Sequence, residues 1–323
     1  MSATLSAAAG GSSGAREESP SAQARVAPHP SALKALADAV VRTLAYADVF
    51  GAPLGLDDLH AYLDRPATLD TVEAAARGAT RDGRVSTDGR WYTLAGSESH
   101  VERRRVRAAH AAFLWGEAER YGRIVARVPY VRLVAVSGAL AVDNVEADAD
   151  VDLFIVTAPE RVWTVRALVL ALDRLARRRG VTLCPNYLVS VDALSFTDRT
   201  LFTAHELMQL VPLHGVSWFQ ALHAANGWPR RFLPNARPRA ARAGARDVVE
   251  ARWSERLLDT CGVTPRVEAW ERTRKMARLV DIPHAEARFG PECCKGHFGG
   301  HGRRVLTAYV ERLHRLGLAE APG

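Results

Sequence analysis

The segment of this 323-residue chain with the most chemical content is Val136-Ser-Gly-Ala-Leu-Ala-Val-Asp-Asn-Val-Glu-Ala-Asp-Ala-Asp-Val-Asp-Leu-Phe-Ile-Val156. Asp148, Asp150 and Asp152 recur every second residue, so in extended chain their carboxylates project from one face. Gathering negative charge in this way calls for a cation. A hard divalent ion such as Mg²⁺, held by one or two carboxylates and completed by substrate phosphates, answers that need. A calcium loop of the helix-loop-helix kind also spaces acids by two, but here its sixth position would be Leu153 instead of Gly and its twelfth Pro159 instead of Glu.

The surrounding pattern supplies elements to hold these residues. An amphipathic helix is expected from about Ser99 to Val128, with a basic start at Arg103, Arg104, Arg105 and Arg107 and a stop at Pro129. Tyr130–Val136 and Val151–Thr157 read as apolar, β-branched strands. Pro159 opens a helix that ends at Arg177-Arg-Arg-Gly180, and Val181–Val189 reads as a third strand. Strand, strand, helix, strand predicts an α/β (α+β) domain with a mixed sheet. Residues 199–226 read as helical.

Gly138, the spacer and Asp150-Val-Asp152 at the head of an apolar strand resemble the signature of the DNA polymerase beta-type nucleotidyltransferase superfamily, over about residues 98–228. The segments Tyr46-Ala-Asp-Val-Phe50, Arg161-Val-Trp-Thr-Val-Arg166 and Phe232-Leu-Pro-Asn235 are similar to bacterial proteins described as nucleotidyltransferase domain-containing. The resemblance implies transfer of a nucleoside monophosphate from an NTP to an acceptor, which the residues leave open as nucleic acid, protein or small molecule. It further implies Mg²⁺ or Mn²⁺ on Asp150 and Asp152, and a close approach of the Gly138 backbone to phosphate. Two positions depart from the pattern. Ala139 stands where the family has a serine, leaving Ser137 as the nearby hydroxyl. The resemblance also implies a third carboxylate, usually on the third strand, that helps ligate one metal and deprotonates the acceptor; Leu183-Cys-Pro-Asn-Tyr-Leu-Val189 has none, Asn186 occupies a plausible position, and Asp192, just beyond the strand, is the candidate catalytic carboxylate if the strand continues to it. Arg161, in the first turn of the following helix, is a candidate for nucleotide phosphate beside its plainer reading as a solvated arginine. A catalytically degenerate binding or regulatory protein is the alternative function.

Ahead of this region, helical periodicity at Leu33–Val49, Leu56–Leu63 and Leu69–Thr80 precedes two short strands around Val85 and Trp91–Leu94, with Asp88-Gly89 as a hairpin signal. Three helices and a hairpin predict a winged helix-turn-helix unit, a fold with a DNA-binding precedent. The helix in the recognition position carries Asp70 and Glu73 against Arg77, a poor charge balance for contact with phosphates. A packing or partner-contact role competes with DNA contact.

The expected organisation is therefore a disordered tail at 1–30, a winged-helix unit at 31–97, a nucleotidyltransferase domain at 98–228, a basic linker at 229–247 and a helical region at 248–323. Lys+Arg total 43 against 36 Asp+Glu, for a net charge of +7, and nearly all the positive charge is arginine. Trp228–Arg246 contains six arginines and three prolines without an acid, and reads as a solvated linker or a track for a nucleic-acid backbone. No apolar run approaches the roughly 18 residues of a membrane span. Four cysteines are too few for a disulfide scaffold and no apolar leader core is evident, so a cytoplasmic location is expected. Cys293-Cys294-Lys-Gly-His297-Phe-Gly-Gly-His301 contains soft ligands but lacks the usual gap between zinc thiolates. His205-Glu206 and His214 read as surface or capping residues.

Overall fold

The computed structural model describes residues 30–247, 253–277, 288–296 and 300–320. The N-terminal unit consists of α1 (Pro30–Asp48), α2 (Leu56–Ala61) and α3 (Leu69–Arg81), followed by the antiparallel hairpin β1 (Val85–Thr87) and β2 (Tyr92–Leu94). An antiparallel bridge between Leu54 and Tyr92 ties the α1–α2 turn to the hairpin. The side chain of Thr68 caps α3 through the Thr71 amide, and Val72, Ala75, Ala76 and Ala79 form its buried face.

The long helix α4 (Ser99–Val125) leads into β3 (Val131–Val136), the single turn α5 (Gly138–Ala141), β4 (Val151–Thr157), α6 (Val162–Arg177) and β5 (Leu183–Ser190). Then come α7 (Leu201–Gln209), β6 (Val211–His214), α8 (Val216–Ala224), α9 (Trp253–Thr260), α10 (Thr264–Ala277), β7 (Arg288–Phe289), β8 (Cys293–Lys295) and α11 (His301–Arg315). The mixed six-stranded sheet has the order β6-β3-β4-β5-β8-β7, with β4 and β5 parallel and the other pairs antiparallel.

Alternation along the central strands divides the core. Val134, Val136, Leu153 and Ile155 pack toward α4 and α6, whereas Leu133, Ala135, Phe154 and Val156 pack toward α7 and α8. By the same alternation Asp152 belongs to the second face. That face also receives Tyr62 of the N-terminal unit and Leu233 and Ala236 of the chain after α8.

Several connections differ from the sequence expectation. The stretch 199–226 is not continuously helical, because Val211–His214 joins the sheet edge beside β3. The region from 248 onward is not wholly helical either: Cys293–Lys295 extends the sheet beside β5, and α11 packs into the N-terminal core through Val305, Tyr309 and Leu313. Arg312 on α11 donates to Asp48 at the end of α1, 2.8 Å. Residues 229–247, exposed over much of their length, are nonetheless tied to the rest of the fold. Asn235 bonds the His60 and Arg65 carbonyls and the Ala67 amide, Trp228 is buried, and Arg242 pairs with Glu119 over the Trp115 ring. These bonds make the segment a strap across α2 and α4.

Arginine forks lock the layers together. Arg107 of α4 donates to the Phe50 and Gly51 carbonyls and to Asn144, so it joins the N-terminal unit to the α5–β4 loop. Arg132 of β3 makes a two-pronged pair with the buried Glu255 of α9, both contacts at 3.0 Å. Glu268 of α10 accepts the Trp163 and Thr164 amides, capping α6 from another helix. Among the described residues no helix is long and apolar enough to cross a membrane. Residues 1–29 and His297 lie outside the described residues.

Candidate active site

The site is built at the junction of β3, α5 and β4. The Ser137 amide donates to the Asp152 carbonyl at 2.9 Å, which holds the end of β3 against the start of β4. Gly138 then adopts φ +65°, and a Cβ there would lie 2.5 Å from Asp152 Oδ2. Only glycine meets both demands, the left-handed backbone and the missing side chain. Asp152 is half-buried and Asp150, one residue ahead of the strand, is exposed at its mouth.

Across the parallel pair, Asp152 is level with Cys184 and Leu153 with Pro185, and a bulge at Asn186 precedes the Phe154–Tyr187 pair. The Cys184 thiol is pushed up to about 12, first by burial and then by the charge of Asp152 and a hydrogen bond to it, with Asp150 adding to the effect. It is therefore a neutral neighbour of the carboxylates. Asn186 lines the same cavity as Gly138, Ala139 and Asp152, so an amide occupies the third-strand position beside the carboxylate.

Two expected site residues are placed elsewhere, and a third, Ser137, directs its hydroxyl into a different cavity. Asp192 sits in a 3-10 turn beyond the far end of β5, so six strand steps, roughly 20 Å, separate its end of the strand from the level of Asp152. It cannot complete a site at the start of β4. Arg161 lies after the far end of β4, where it donates to Asp259 at 3.0 Å and stacks on Tyr130. Ser137 is 5% exposed and its hydroxyl has no partner among the described residues. It lines a separate cavity of about 20 Å³, room for a single water and too small for phosphate.

The main cavity, about 470 Å³, opens from the Gly138–Asp152 junction toward the N-terminal unit. Its aromatic wall is built around His205, which stacks on Tyr46 with ring centroids 4.1 Å apart and tilts against Tyr62 at 4.9 Å. His205 is no surface residue: it is 5% exposed, and burial pushes its imidazole down to about 3. Burial also raises the Tyr46 and Tyr62 phenols, so this wall is uncharged at neutral pH.

Charge enters the cavity at Asp58, Arg104, Glu206 and Arg239. Arg104 Nη1 donates to the Val142 and Asp143 carbonyls, at 2.6 and 2.5 Å, and its guanidinium lies over the Trp91 ring. Arg239 comes from the strap and donates through Nη2 to the Tyr62 hydroxyl at 2.9 Å and to Asp58 at 3.3 Å. Burial raises the Asp58 carboxyl against the opposing pull of Arg239. Sequence reasoning overlooked these residues as site members, although one signal was present. Arg104, Ala111, Ala118 and Val125 recur every seven residues and are all buried, which singles out Arg104 from the arginines beside it as part of the inward stripe of α4.

Among the described residues no group of three or more His, Cys, Asp or Glu is arranged to hold a metal ion. Cys293 and Cys294 lie in β8 opposite Val189 and Leu188, and as adjacent strand residues they face opposite sides of the sheet. Comparison with known proteins gives no match at any of three levels: no family model, no curated protein and no solved structure matches the chain.

Proposed function

We propose that the protein is a nucleotidyltransferase of the DNA polymerase beta type, with a winged-helix-like N-terminal unit, and that it transfers a nucleoside monophosphate from an NTP to an acceptor with release of pyrophosphate. The observation that carries this reading is the approach of Gly138 to Asp152 at the mouth of a cavity of small-molecule size. The order of long helix, strand, turn, strand, helix and parallel strand around that point supports it.

In this reading Asp150 and Asp152 hold Mg²⁺ or Mn²⁺, and the bare Gly138 turn accepts the triphosphate against its backbone. The bound ion would supply neutralising charge for the phosphate oxygens. Asn186 cannot take a proton from the acceptor. Glu206 of α7, which lines the same cavity and is not part of the Asp150–Asp152 pair, is the carboxylate assigned that role.

The second reading, a binding or regulatory protein with a degenerate transferase domain, draws on Asn186 and Ala139. One experiment separates the two. The protein is incubated with each α-labelled NTP, Mg²⁺ or Mn²⁺ and a cell extract, beside an Asp150→Ala/Asp152→Ala double variant. Label transfer that disappears in the double variant is the expected result. Absence of transfer together with absence of metal-dependent NTP binding rejects the enzymatic reading.

A further inference from the structure

Arg104 and Arg239 come from segments 135 residues apart in the chain, yet line one cavity with Asp152. We propose that they form a subsite for the oxyanion, phosphate or carboxylate, of a small second substrate held across the cavity from the Gly138–Asp152 junction.

Arg104 is built for such a task. It is 8% exposed, its Nη1 is committed to the two carbonyls at the end of α5, and its Nε is buried with no partner among the described residues. The Nε is closed off from the cavity, but a guanidinium fixed in orientation and largely withdrawn from water bears a desolvation cost that an anionic ligand beside it would offset. Arg239 is likewise fixed, by Tyr62 and Asp58 through Nη2. The two guanidiniums repel each other, and burial together with that repulsion lowers Arg104 against the attraction of Asp143 and Asp58. Of these two carboxylates, Asp143 already accepts the Trp115 indole N–H at 2.7 Å. A ligand oxyanion would relieve the repulsion between the arginines.

Arg104 meets the cavity at a different point from the Gly138 turn. In the proposed function a nucleotide's phosphate tail belongs at Gly138, the first residue of α5, whereas Arg104 grips the carbonyls at its other end, about 6 Å along the axis. The cavity is walled by α1, α2, α4, α5, α7 and the strap, and its volume falls in the range of small-molecule sites. The second substrate is therefore a small molecule bearing an acidic group. Its role as acceptor rests on the nucleotidyl-transfer reading; the oxyanion subsite does not.

The test is calorimetric titration of the full chain with inorganic phosphate in EDTA, with thermal melts to check folding. Saturable binding is expected in the wild type and in Asp150→Ala/Asp152→Ala. Arg239→Gln and Arg104→Gln should each weaken it about tenfold or more, the loss of a charge-assisted bond. Asp58→Asn removes a competing carboxylate and should tighten it. These opposite signs keep the test decisive if Arg104→Gln does not fold. Failure of wild-type binding to saturate, or equal affinity in the wild type and Arg239→Gln, overturns the subsite. A repeat with Mg²⁺ and a non-hydrolysable ATP analogue assigns the anion: continued phosphate binding supports the second substrate, and one-for-one displacement overturns that assignment. A protein that binds phosphate as described but transfers no label retains the subsite and loses the transferase reading.

Discussion

Gly138 and Asp152 are so close that a Cβ on the glycine would fall 2.5 Å from the carboxylate Oδ2, and the glycine's φ of +65° is a conformation that other residues adopt only at a cost. Gly138→Ala is therefore expected to displace Asp152 and to cost about 1–2 kcal/mol in stability from backbone conformation. Thermal melts measure the second effect, and titration with ATP and Mg²⁺ the first. Retained nucleotide affinity in the alanine variant would separate Gly138 from the phosphate site.

Asn186 lines the same cavity as Asp152, and the proposed function gives it the place of a third metal-binding carboxylate. Asn186→Asp should raise affinity for Mn²⁺ in the absence of nucleotide, read by the loss of free-ion EPR signal, because a third anionic oxygen joins Asp150 and Asp152. Unchanged affinity would mean that residue 186 does not face the ion.

His205 makes stability pH-dependent. Its folded pKa of about 3 lies below the ordinary value near 6.5, so only the unfolded chain takes up this proton between those values. Stability is unaffected above about pH 6.5 and falls by about 1.4 kcal/mol per pH unit below it, until the folded pKa is reached. His223, pushed down to about 4 by burial, adds a similar loss over its own window. Urea unfolding of His205→Phe at pH 7 and pH 5 should show a smaller difference than the wild type, by about 2 kcal/mol. An equal difference in both proteins would rule out the buried neutral imidazole.

The Arg132–Glu255 pair ties α9 to β3, and Glu255 also accepts the Tyr130 amide at 2.7 Å. Glu255→Ala leaves a buried guanidinium without its carboxylate and should cost about 3–5 kcal/mol, measured by denaturant unfolding. An Arg132→Met/Glu255→Leu replacement should recover much of that loss.

On α3, Arg77 is paired with Glu73 at 2.6 Å. Any binding of duplex DNA is expected to come from the diffuse arginine surplus, to vanish by physiological salt and to be unaffected by Arg77→Ala. A salt titration of binding with and without that substitution checks this. A salt-resistant complex lost in Arg77→Ala would restore the recognition-helix role.

Local patterns determined much of the molecule. The helical period of α1 and α3, the apolar runs of β3 and β4, the Asp88-Gly89 hairpin and the Asp150-Val-Asp152 spacing were all readable, because side-chain periodicity and turn chemistry are decided within a few residues. The short strands β6, β7 and β8 were not, because two to four residues carry no measurable period and gain strand form only by pairing. Tertiary structure alone decided which residues meet. The parallel register of β4 and β5 sends Arg161 and Asp192 to the end opposite Asp152, although chain proximity suggested a shared site. The return of α11 to the N-terminal core, the strap that brings Arg239 beside Arg104, and the burial of His205 between Tyr46 and Tyr62 all depend on contacts between distant segments. Composition places the surplus arginine on the chain; only packing between those segments turns two of its members toward one cavity.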